Sequence, residues 1–318
     1  MFSVISTKFP ENALLYYKDV LSYQVCPEGY SETRKEVCKM SLKTRFFAAL
    51  GAVSMAAMLA LTSCGSSDSS SSGGSADAGE DKSLQKVLDN GKLILGLDAT
   101  FKPMGYTDEN DQIVGFDIDC AKEVCTRLGI TLEPYGVNWE TKEIDLNAGT
   151  IDCIWNGLSV SEECKKVMLM SEPYMENKMV FVVNKDSAVN TLADLDGKKV
   201  AVQNGSTAQE ILKGSEVGGK VTTSELQTNV EALNQLELGM CDAVFLDSVV
   251  AEYEITTSGK AFRVLEEGLE PEQYAIGFRL EDKALCDKIY ETLKEMKSDG
   301  KLGEISTKWF GKDITTVK

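Results

Sequence analysis

The stretch "DIDCAKEVCTRLGITLEPY", residues 117–135, combines two periodicities that together indicate the class of fold. Apolar residues recur at steps of three and four over its first twelve positions, a spacing that predicts a helix: Ile118, Ala121, Val124, Cys125 and Leu128. Gly129 ends that helix, and residues 130–135 are typical of a β-strand. A helix leading into a strand is part of a β–α–β unit, so we expect a parallel sheet covered by helices.

The same alternation continues along the rest of the chain and divides it into two α/β lobes. Further helices are predicted at 140–148, 230–238, 282–297 and 302–309. Further strands are predicted at 93–97, 151–155, 179–183, 198–203, 221–224, 241–246 and 274–278. We place a connection between the lobes near residues 173–178.

Composition bounds the function. The 318 residues suffice for about two domains, and 43% hydrophobic with 26% charged residues is ordinary for a globular protein. A net charge of −17 argues against nucleic-acid binding. The chain has no histidine, which excludes Ser-His-Asp and Cys-His catalysis and histidine-containing zinc sites. We expect no metal and no cofactor.

The N-terminal region indicates export. Lys43 and Arg45 precede an apolar run at 46–61, as in a secretory signal. Leu-Thr-Ser before Cys64 resembles the bacterial lipobox, in which this cysteine becomes the lipid-bearing first residue. An uncleaved anchor or a chance apolar helix is the alternative.

Residues 40–63 are therefore predicted to be a lipoprotein signal peptide, and 64–82 a flexible Ser/Gly-rich tether. Residues 1–39 fit neither, and we interpret them as a start-site artefact with Met40 as the true start. Six further cysteines form no Cys-x-x-Cys pair, and we expect buried free thiols, although export permits disulfides: Cys120, Cys125, Cys153, Cys164, Cys241 and Cys286.

Four predicted strands end in residues suited to a ligand. Open α/β sheets bind ligands beyond the carboxyl ends of their strands. Leu97 leads to Asp98, and Trp155 leads to Asn156, Gly157 and Ser159 in one lobe. In the other lobe, Gln203 leads to a turn containing Gly205, Ser206 and Thr207, and Leu246 leads to Asp247. A cleft between the lobes would collect all four strand ends.

Several segments resemble the family 3 extracellular solute-binding proteins, the polar amino-acid receptors of ABC importers. They occur in the family's order over about residues 83–311: "GLDATFKPMGY", "QIVGFDIDCAKEVCTRLG", "IDCIWNGLSVSEECKKVMLMSEPY", "LADLDGKKVAVQNGST", "LELGMCDAVFLDSVVAEY" and "LKEMKSDGKLGEISTKWFG". The motif Gly-Phe-Asp-Ile-Asp at 115–119 is quite specific for this family. Cys120 departs from the larger aliphatic residue that usually follows it.

The resemblance implies a two-lobed periplasmic-binding-protein-like fold of type II, in an α/β class, whose chain crosses the hinge twice. Lobe one would comprise about 83–175 and 275–318, and lobe two about 178–269, with hinge strands near Glu176 and Pro271. Ligand would hold the lobes shut, because only the closed state offers contacts from both sides. We expect a monomer, lipid-anchored at the outer face of the bacterial cell membrane, that docks on an ABC transporter permease.

The resemblance also assigns ligand-binding roles. Asp247 matches the carboxylate that pairs with the ligand's α-ammonium, although it could instead cap the following helix. The turn at Gly205, Ser206 and Thr207 matches the site of the ligand's carboxylate, because free amides at a helix start favour an anion. An ordinary capped turn is the alternative.

Phe101 and Trp139 match the two rings that sandwich the ligand's side chain, although each alone is more typical of a core. Asp98 matches a position that reaches the far end of long cationic ligands, or is a turn-forming residue. Asn156, Gly157 and Ser159 match the lobe-one edge that contacts the ligand's ammonium and carboxylate.

Cys164 departs from the family pattern, which has an arginine that clamps the α-carboxylate. A neutral thiol cannot replace that charge, and Lys165 would point about a quarter-turn away on a helix. We therefore expect a weakened grip on a carboxylate. The ligand would have a modified or absent α-carboxylate, or one held by the amides at 205–207 alone; drift in a weak binder is the alternative.

The favoured function is capture of a polar amino acid or related cationic amine for import. A dehydratase-like enzyme on the same scaffold is the alternative, which would need an acid or base in the cleft. A sensory module is a third hypothesis.

Overall fold

Residues 81–268 and 271–318 are described by the computed structural model. The α-helices are α1 (Ser83–Asn90), α2 (Phe116–Leu128), α3 (Lys142–Asn147), α4 (Glu162–Val167), α5 (Thr207–Gly214), α6 (Asn229–Glu237), α7 (Ser248–Thr257), α8 (Lys283–Ser298) and α9 (Lys301–Phe310). The strands are β1 (Lys92–Leu97), β2 (Thr100–Phe101), β3 (Gly105–Thr107), β4 (Ile113–Val114), β5 (Thr131–Gly136), β6 (Cys153–Ser159), β7 (Leu169–Met170), β8 (Met175–Asn184), β9 (Lys199–Gln203), β10 (Thr222–Leu226), β11 (Ala243–Asp247), β12 (Phe262–Val264) and β13 (Pro271–Phe278).

Most of the strands form one sheet with the order β10-β9-β11-β8-β13-β6-β1-β5. Its two ends are parallel, as β1 with β5 and β9 with β10, so the predicted β–α–β units are confirmed there. The expectation of a wholly parallel sheet is wrong, because β8 and β13 pair antiparallel with their neighbours at the centre. Antiparallel neighbours need no crossover helix between them, unlike parallel ones.

The two central strands connect the two lobes. β8 and β13 pair with each other through residues such as Glu176 with Gln273 and Met175 with Tyr274. Beyond that region β8 continues alongside β11 and β12, whereas β13 continues alongside β6 and β7. The chain therefore crosses between two lobes twice, as the resemblance implied. The lobe limits given from sequence stay a prediction.

Strand β6 runs further than the sequence indicated. The prediction that it ends at Trp155 is wrong, because it continues to Ser159 and every residue in it is buried. Pairing of Ser159 with Tyr274 and of Leu158 with Ala275 holds the polar continuation in the sheet. The residues Asn156, Gly157 and Ser159 thus sit within a rigid strand rather than on a loop.

The Gly-Phe-Asp motif connects α2 to this strand. Gly115 precedes the helix at φ 146°, and a Cβ on it would lie 2.2 Å from the carbonyl oxygen of Met104. Asp117 is fully buried, and its Oδ2 accepts from the Gly157 amide at 2.8 Å and from the Tyr174 hydroxyl at 3.0 Å. The motif therefore fixes the backbone of the strand that carries candidate site residues.

Other local predictions need adjustment. The helix predicted at 140–148 is a 3₁₀ turn (Trp139–Thr141) followed by α3, because the Asn138 side chain accepts from the Glu140 amide and tightens the start. The strands of the small sheet β2-β3-β4 and the helix α4 are too short to be predicted from hydrophobic periodicity. All six cysteines of the described residues are free and buried, which confirms that prediction.

Several sequence predictions lie outside the described residues. These are the interpretation of residues 1–39, the signal peptide at 40–63, the lipidation of Cys64 and nearly all of the tether at 64–82. Within residues 81–268 and 271–318, no helix has the length and apolar character needed to cross a bilayer.

Replacement of Gly115 tests the close packing at the motif. We expect Gly115→Ala to lower the free energy of unfolding by about 3 kcal/mol or more, from backbone strain plus collision with Met104. Urea unfolding followed by circular dichroism measures this. Gly129→Ala is the matched control, because Gly129 has φ 72° with open space around it, and should cost about 1 kcal/mol. Equal losses for the two variants would contradict the packing argument.

Candidate functional site

A cavity of about 370 Å³ lies between the two lobes, where the predicted strand ends meet. Its size falls in the range of small-molecule pockets. Nine of the eleven residues predicted for ligand binding line it: Phe101, Trp139, Gly157, Ser159, Cys164, Gly205, Ser206, Thr207 and Asp247. The structure therefore brings together residues that lie up to about 150 positions apart in the sequence.

Asp98 and Asn156 do not line this cavity. The Asp98 carboxylate accepts from Thr100 through Oδ1 and from Gln203 Nε2 at 2.7 Å through Oδ2, which links the two lobes. Asn156 Oδ1 accepts from the Asp98 amide at 3.0 Å, so these two residues support each other behind the cavity wall. Their predicted direct contacts with a ligand stay a prediction.

Asp247 provides the buried negative charge at the cavity floor. It is 6% exposed, and its Oδ1 accepts from the Tyr274 hydroxyl at 2.6 Å and from Asn177 Nδ2 at 2.8 Å. It occupies the N-cap position of α7, but its side chain makes no capping hydrogen bond. The carboxylate is thus directed away from helix capping and into the network under the cavity.

Glu272 lies behind Asp247, and the sequence analysis missed it. Its Oε1 accepts from Ser159 Oγ at 2.9 Å and from Asn177 Nδ2, so Asn177 donates to both carboxylates. Burial raises the pKa of Glu272 to about 8, and the charge of Asp247 adds to the shift. Burial likewise raises the pKa of Asp247, to about 6, against the hydrogen bonds from Tyr274 and other neighbours. The sequence signal that could have revealed Glu272 is its position two residues before Tyr274, because residues two apart on a strand lie on the same face.

The start of helix α5 lies at the same edge of lobe two as Asp247, because β9 and β11, which lead to them, are parallel neighbours. The Ser206 hydroxyl accepts from the Gln209 amide at 3.2 Å and caps the helix, and the Gly205 amide donates to Gln209 Oε1 at 3.1 Å. Within the described part of the chain, no protein acceptor bonds the amides of Ser206 and Thr207. Such free amides at a helix start favour an anion.

Aromatic rings form the wall on the lobe-one side. Phe101 lies on β2 and Trp139 on the 3₁₀ turn before α3, and both line the cavity. A Cβ on Gly157, which has φ 58°, would lie 2.8 Å from Phe101 Cε1. Only glycine therefore lets strand β6 approach this ring closely, as a stacking wall requires.

Cys164 lies on the short helix α4 and is 7% exposed. Burial raises the pKa of its thiol, opposed by the Ser161 hydroxyl and by the positive charge of Lys142, so the thiol is neutral at pH 7. Lys165, the next residue, is exposed, pairs with Glu162 at 2.8 Å and does not line the cavity. Lys165 therefore does not supply the positive charge that the arginine of the family pattern would bring at position 164.

Lys142 is a second residue that the sequence analysis missed. It begins α3, is 4% exposed and lines the cavity beside Cys164. Its Nζ donates to the Gly205 carbonyl at 2.9 Å and to the Trp139 carbonyl at 3.2 Å. The sequence signal was its spacing of four from Leu146, which puts a lysine on the buried face of the helix.

Comparison with known proteins identifies relatives of this chain. Residues 93–312 match the model of the bacterial extracellular solute-binding proteins, family 3. ArtP, an arginine-binding extracellular protein of Bacillus subtilis (strain 168), is 31% identical over 255 residues, which covers 79% of this chain and 92% of ArtP.

Solved structures share the fold. Tv2483 bound to L-arginine has 33% identity and a TM-score of 0.72, over 75% of this chain and 98% of that one. An ABC uptake transporter substrate-binding protein from Streptococcus pneumoniae with bound histidine has 37% identity and a TM-score of 0.70, over 74% and 99%. An ancestral amino-acid-binding protein, a precursor of cyclohexadienyl dehydratase, has 32% identity and a TM-score of 0.67, over 71% and 99%.

The buried carboxyl groups predict how stability depends on pH. A raised pKa means that the folded state binds protons that the unfolded state has released, so the free energy of unfolding of the ligand-free protein falls as pH rises from about 4.5 to about 8. Glu272→Gln removes one of these groups and should flatten that decline, measured by urea unfolding at several pH values. Part of the decline with pH should remain in this variant, because burial also raises the pKa of Asp117, to about 7.

Glu252→Gln is the matched control for this experiment, because Glu252 is exposed on α7. It should leave the slope unchanged. An unaltered slope in Glu272→Gln would contradict the assignment of a protonated carboxyl behind Asp247.

Proposed function

Because the chain belongs to the bacterial extracellular solute-binding proteins of family 3, we propose that it captures a polar amino acid or related cationic amine for an ABC importer. The ligand is held between the two lobes and passed to the importer's membrane permease. Amino-acid recognition by the relatives, arginine for ArtP and histidine for the pneumococcal protein, supports this substrate class.

The observation that carries the proposal is the polarity of the cavity. The buried carboxylate of Asp247 and the free amides of Ser206 and Thr207 follow two neighbouring parallel strands, and all three residues line the cavity. An α-amino acid has an ammonium and a carboxylate on one carbon, so it matches this pair of opposite charges. The rings of Phe101 and Trp139 suit the side chain, because ring faces accommodate methylenes and cations.

Contacts between the lobes support a closing mechanism. Lys142 donates to Gly205, Gln203 donates to Asp98, and Asn138 Nδ2 donates to Gln227 Oε1 at 3.0 Å. These polar bonds join residues of the two lobes across the cleft. A ligand that contacts both lobes would therefore shift the population toward this closed form.

Binding without catalysis is the function we favour. A dehydratase-like enzyme would need a free acid or base in the cavity. Asp98 is bonded to Thr100 and Gln203 behind the wall, and Asp247 is the partner proposed for the ligand's ammonium. These engagements support a receptor role rather than an enzymatic one.

The location proposed from the sequence accompanies this role. Acylation of Cys64 after removal of a signal peptide at 40–63 would anchor the protein at the outer face of the cell membrane. The Ser/Gly-rich segment at 64–82 would give a monomeric receptor room to reach its permease.

A thermal-shift screen of the standard amino acids, cystine and simple amines tests the function. A ligand present at 100 times its Kd stabilises the native state by about 2.7 kcal/mol and raises the unfolding midpoint. Asp247→Asn should weaken binding of the best ligand by about 2–5 kcal/mol, measured by calorimetry, because the ligand's buried ammonium loses its partner.

Asp186→Asn is the control, because Asp186 is an exposed carboxylate on the loop after β8. It should bind as the unaltered chain does. The proposed function fails if no amino acid or amine shifts the midpoint, or if Asp247→Asn binds as tightly as Asp186→Asn.

Lipidation has its own test in a bacterial host that processes lipoproteins. Mass spectrometry of the membrane fraction should find an acylated peptide with Cys64 as its first residue, and Cys64→Ala should abolish that peptide. The acylated peptide is the readout, because an unprocessed apolar run at 46–61 can itself hold the chain in the membrane. Cys38→Ala should leave the peptide unchanged, since residues 1–39 are interpreted as untranslated. An unmodified Cys64 in the membrane-bound protein would contradict the anchor.

A further inference from the structure

Lys142 is a buried cation at a place where the cavity otherwise lacks one. Its side chain is 5% exposed, against 63% for Lys166, the other lysine that lines the cavity. A cation this buried is costly unless it is paired and hydrogen-bonded. Its retention at this position therefore calls for a partner.

Of the three partners that Lys142 has within the protein, only one carries a charge. Two of its three donors reach the carbonyl oxygens of Gly205 and Trp139, which carry no net charge. Its carboxylate partner is Glu143, at 3.0 Å from Nζ, whose side chain is 31% exposed and also lines the cavity. Because the Glu143 side chain reaches solvent, a carboxylate that enters the cavity can exchange with it at Nζ.

The position of Nζ points to which ligand group this is. It lies 2.9 Å from the Gly205 carbonyl oxygen, at the turn that presents the free amides of Ser206 and Thr207. It also lies near enough to Cys164 for its charge to act on that thiol. The ammonium and the helix start therefore provide positive potential to the same part of the cavity, where the residue at 164 is neutral.

We propose that Lys142 binds the ligand's α-carboxylate in place of the arginine that is absent at position 164. This inference rests on the proposed function and makes Lys142 a specificity-determining residue, so the chain takes amino acids with a free α-carboxylate in preference to their amides. It replaces the sequence-based expectation of a carboxylate held by the amides at 205–207 alone. The ligand's carboxylate displaces Glu143 from Nζ, and Lys142 keeps its bond to Gly205.

Paired ligands test this directly by calorimetry at pH 7. The probes are the amino acid that gives the largest thermal shift in the screen and its α-amide, for example L-arginine and L-argininamide. The unaltered chain should bind the amino acid at least about tenfold more tightly than the amide. Lys142→Met should weaken binding of the amino acid by about tenfold or more and leave the amide unchanged.

Two further variants complete the design. Lys142→Met combined with Cys164→Arg should recover affinity for the amino acid, because the arginine returns a cation to the carboxylate. Lys165→Met is the matched control, since Lys165 adjoins Cys164 but lies outside the cavity, and it should bind both probes as the unaltered chain does. Unfolding midpoints without ligand establish that each variant folds.

Several results would overturn the inference. Equal weakening of both probes by Lys142→Met would show that Lys142 acts only as a contact that closes the lobes. Equal affinity of the unaltered chain for the amino acid and its amide would also exclude the inference, and this comparison needs no variant. A loss of affinity in Lys165→Met but not in Lys142→Met would exclude it too. These outcomes leave the receptor function standing, whereas failure of every amino acid to bind the unaltered chain would refute the proposed function itself.

Discussion

The buried carboxylate of Asp247 is the constraint on which the site depends. Among the described residues it has hydrogen-bond donors, Tyr274 and Asn177, but no lysine or arginine as an ion-pair partner. Removing a carboxylate from water is costly unless it gains a cation or a proton. Without ligand this cost appears as a raised pKa of Asp247, and the neighbouring carboxyl of Glu272, which shares the donor Asn177, adds like-charge repulsion. An ammonium from a ligand would meet it more fully.

The same residues belong to the hinge. Asn177 lies on β8, and Glu272 and Tyr274 lie on β13, the two strands by which the chain crosses between the lobes. The hydrogen bonds beneath Asp247 therefore span the segment that must bend when the lobes open. Under the proposed function, binding of the ligand's ammonium and closing of the lobes are coupled, because one set of side chains takes part in both.

The positive side of the cavity is assembled differently. Its charge comes from a lysine of lobe one whose Nζ reaches a backbone carbonyl of lobe two, beside the start of α5. This arrangement exists only when the lobes are together. The α-ammonium of an amino acid would then be held by a carboxylate built into the hinge, and its α-carboxylate by a cation that the closed state brings into place.

The sequence by itself determined the α/β class, the helices with strong three- and four-residue periodicity, and the residues that cluster at the strand ends. These features depend on local pattern and on motifs such as Gly115-Phe116-Asp117. Tertiary structure alone decided that β6 continues to Ser159, since pairing with β13 overrides the local polarity of Asn156 and Gly157. It alone placed Asp98 behind the wall and brought Glu272 and Lys142 to the site. Contacts such as those of Lys142 with Gly205 and of Asn177 with Glu272 join residues 63 and 95 positions apart, and no local pattern encodes a distance of that kind.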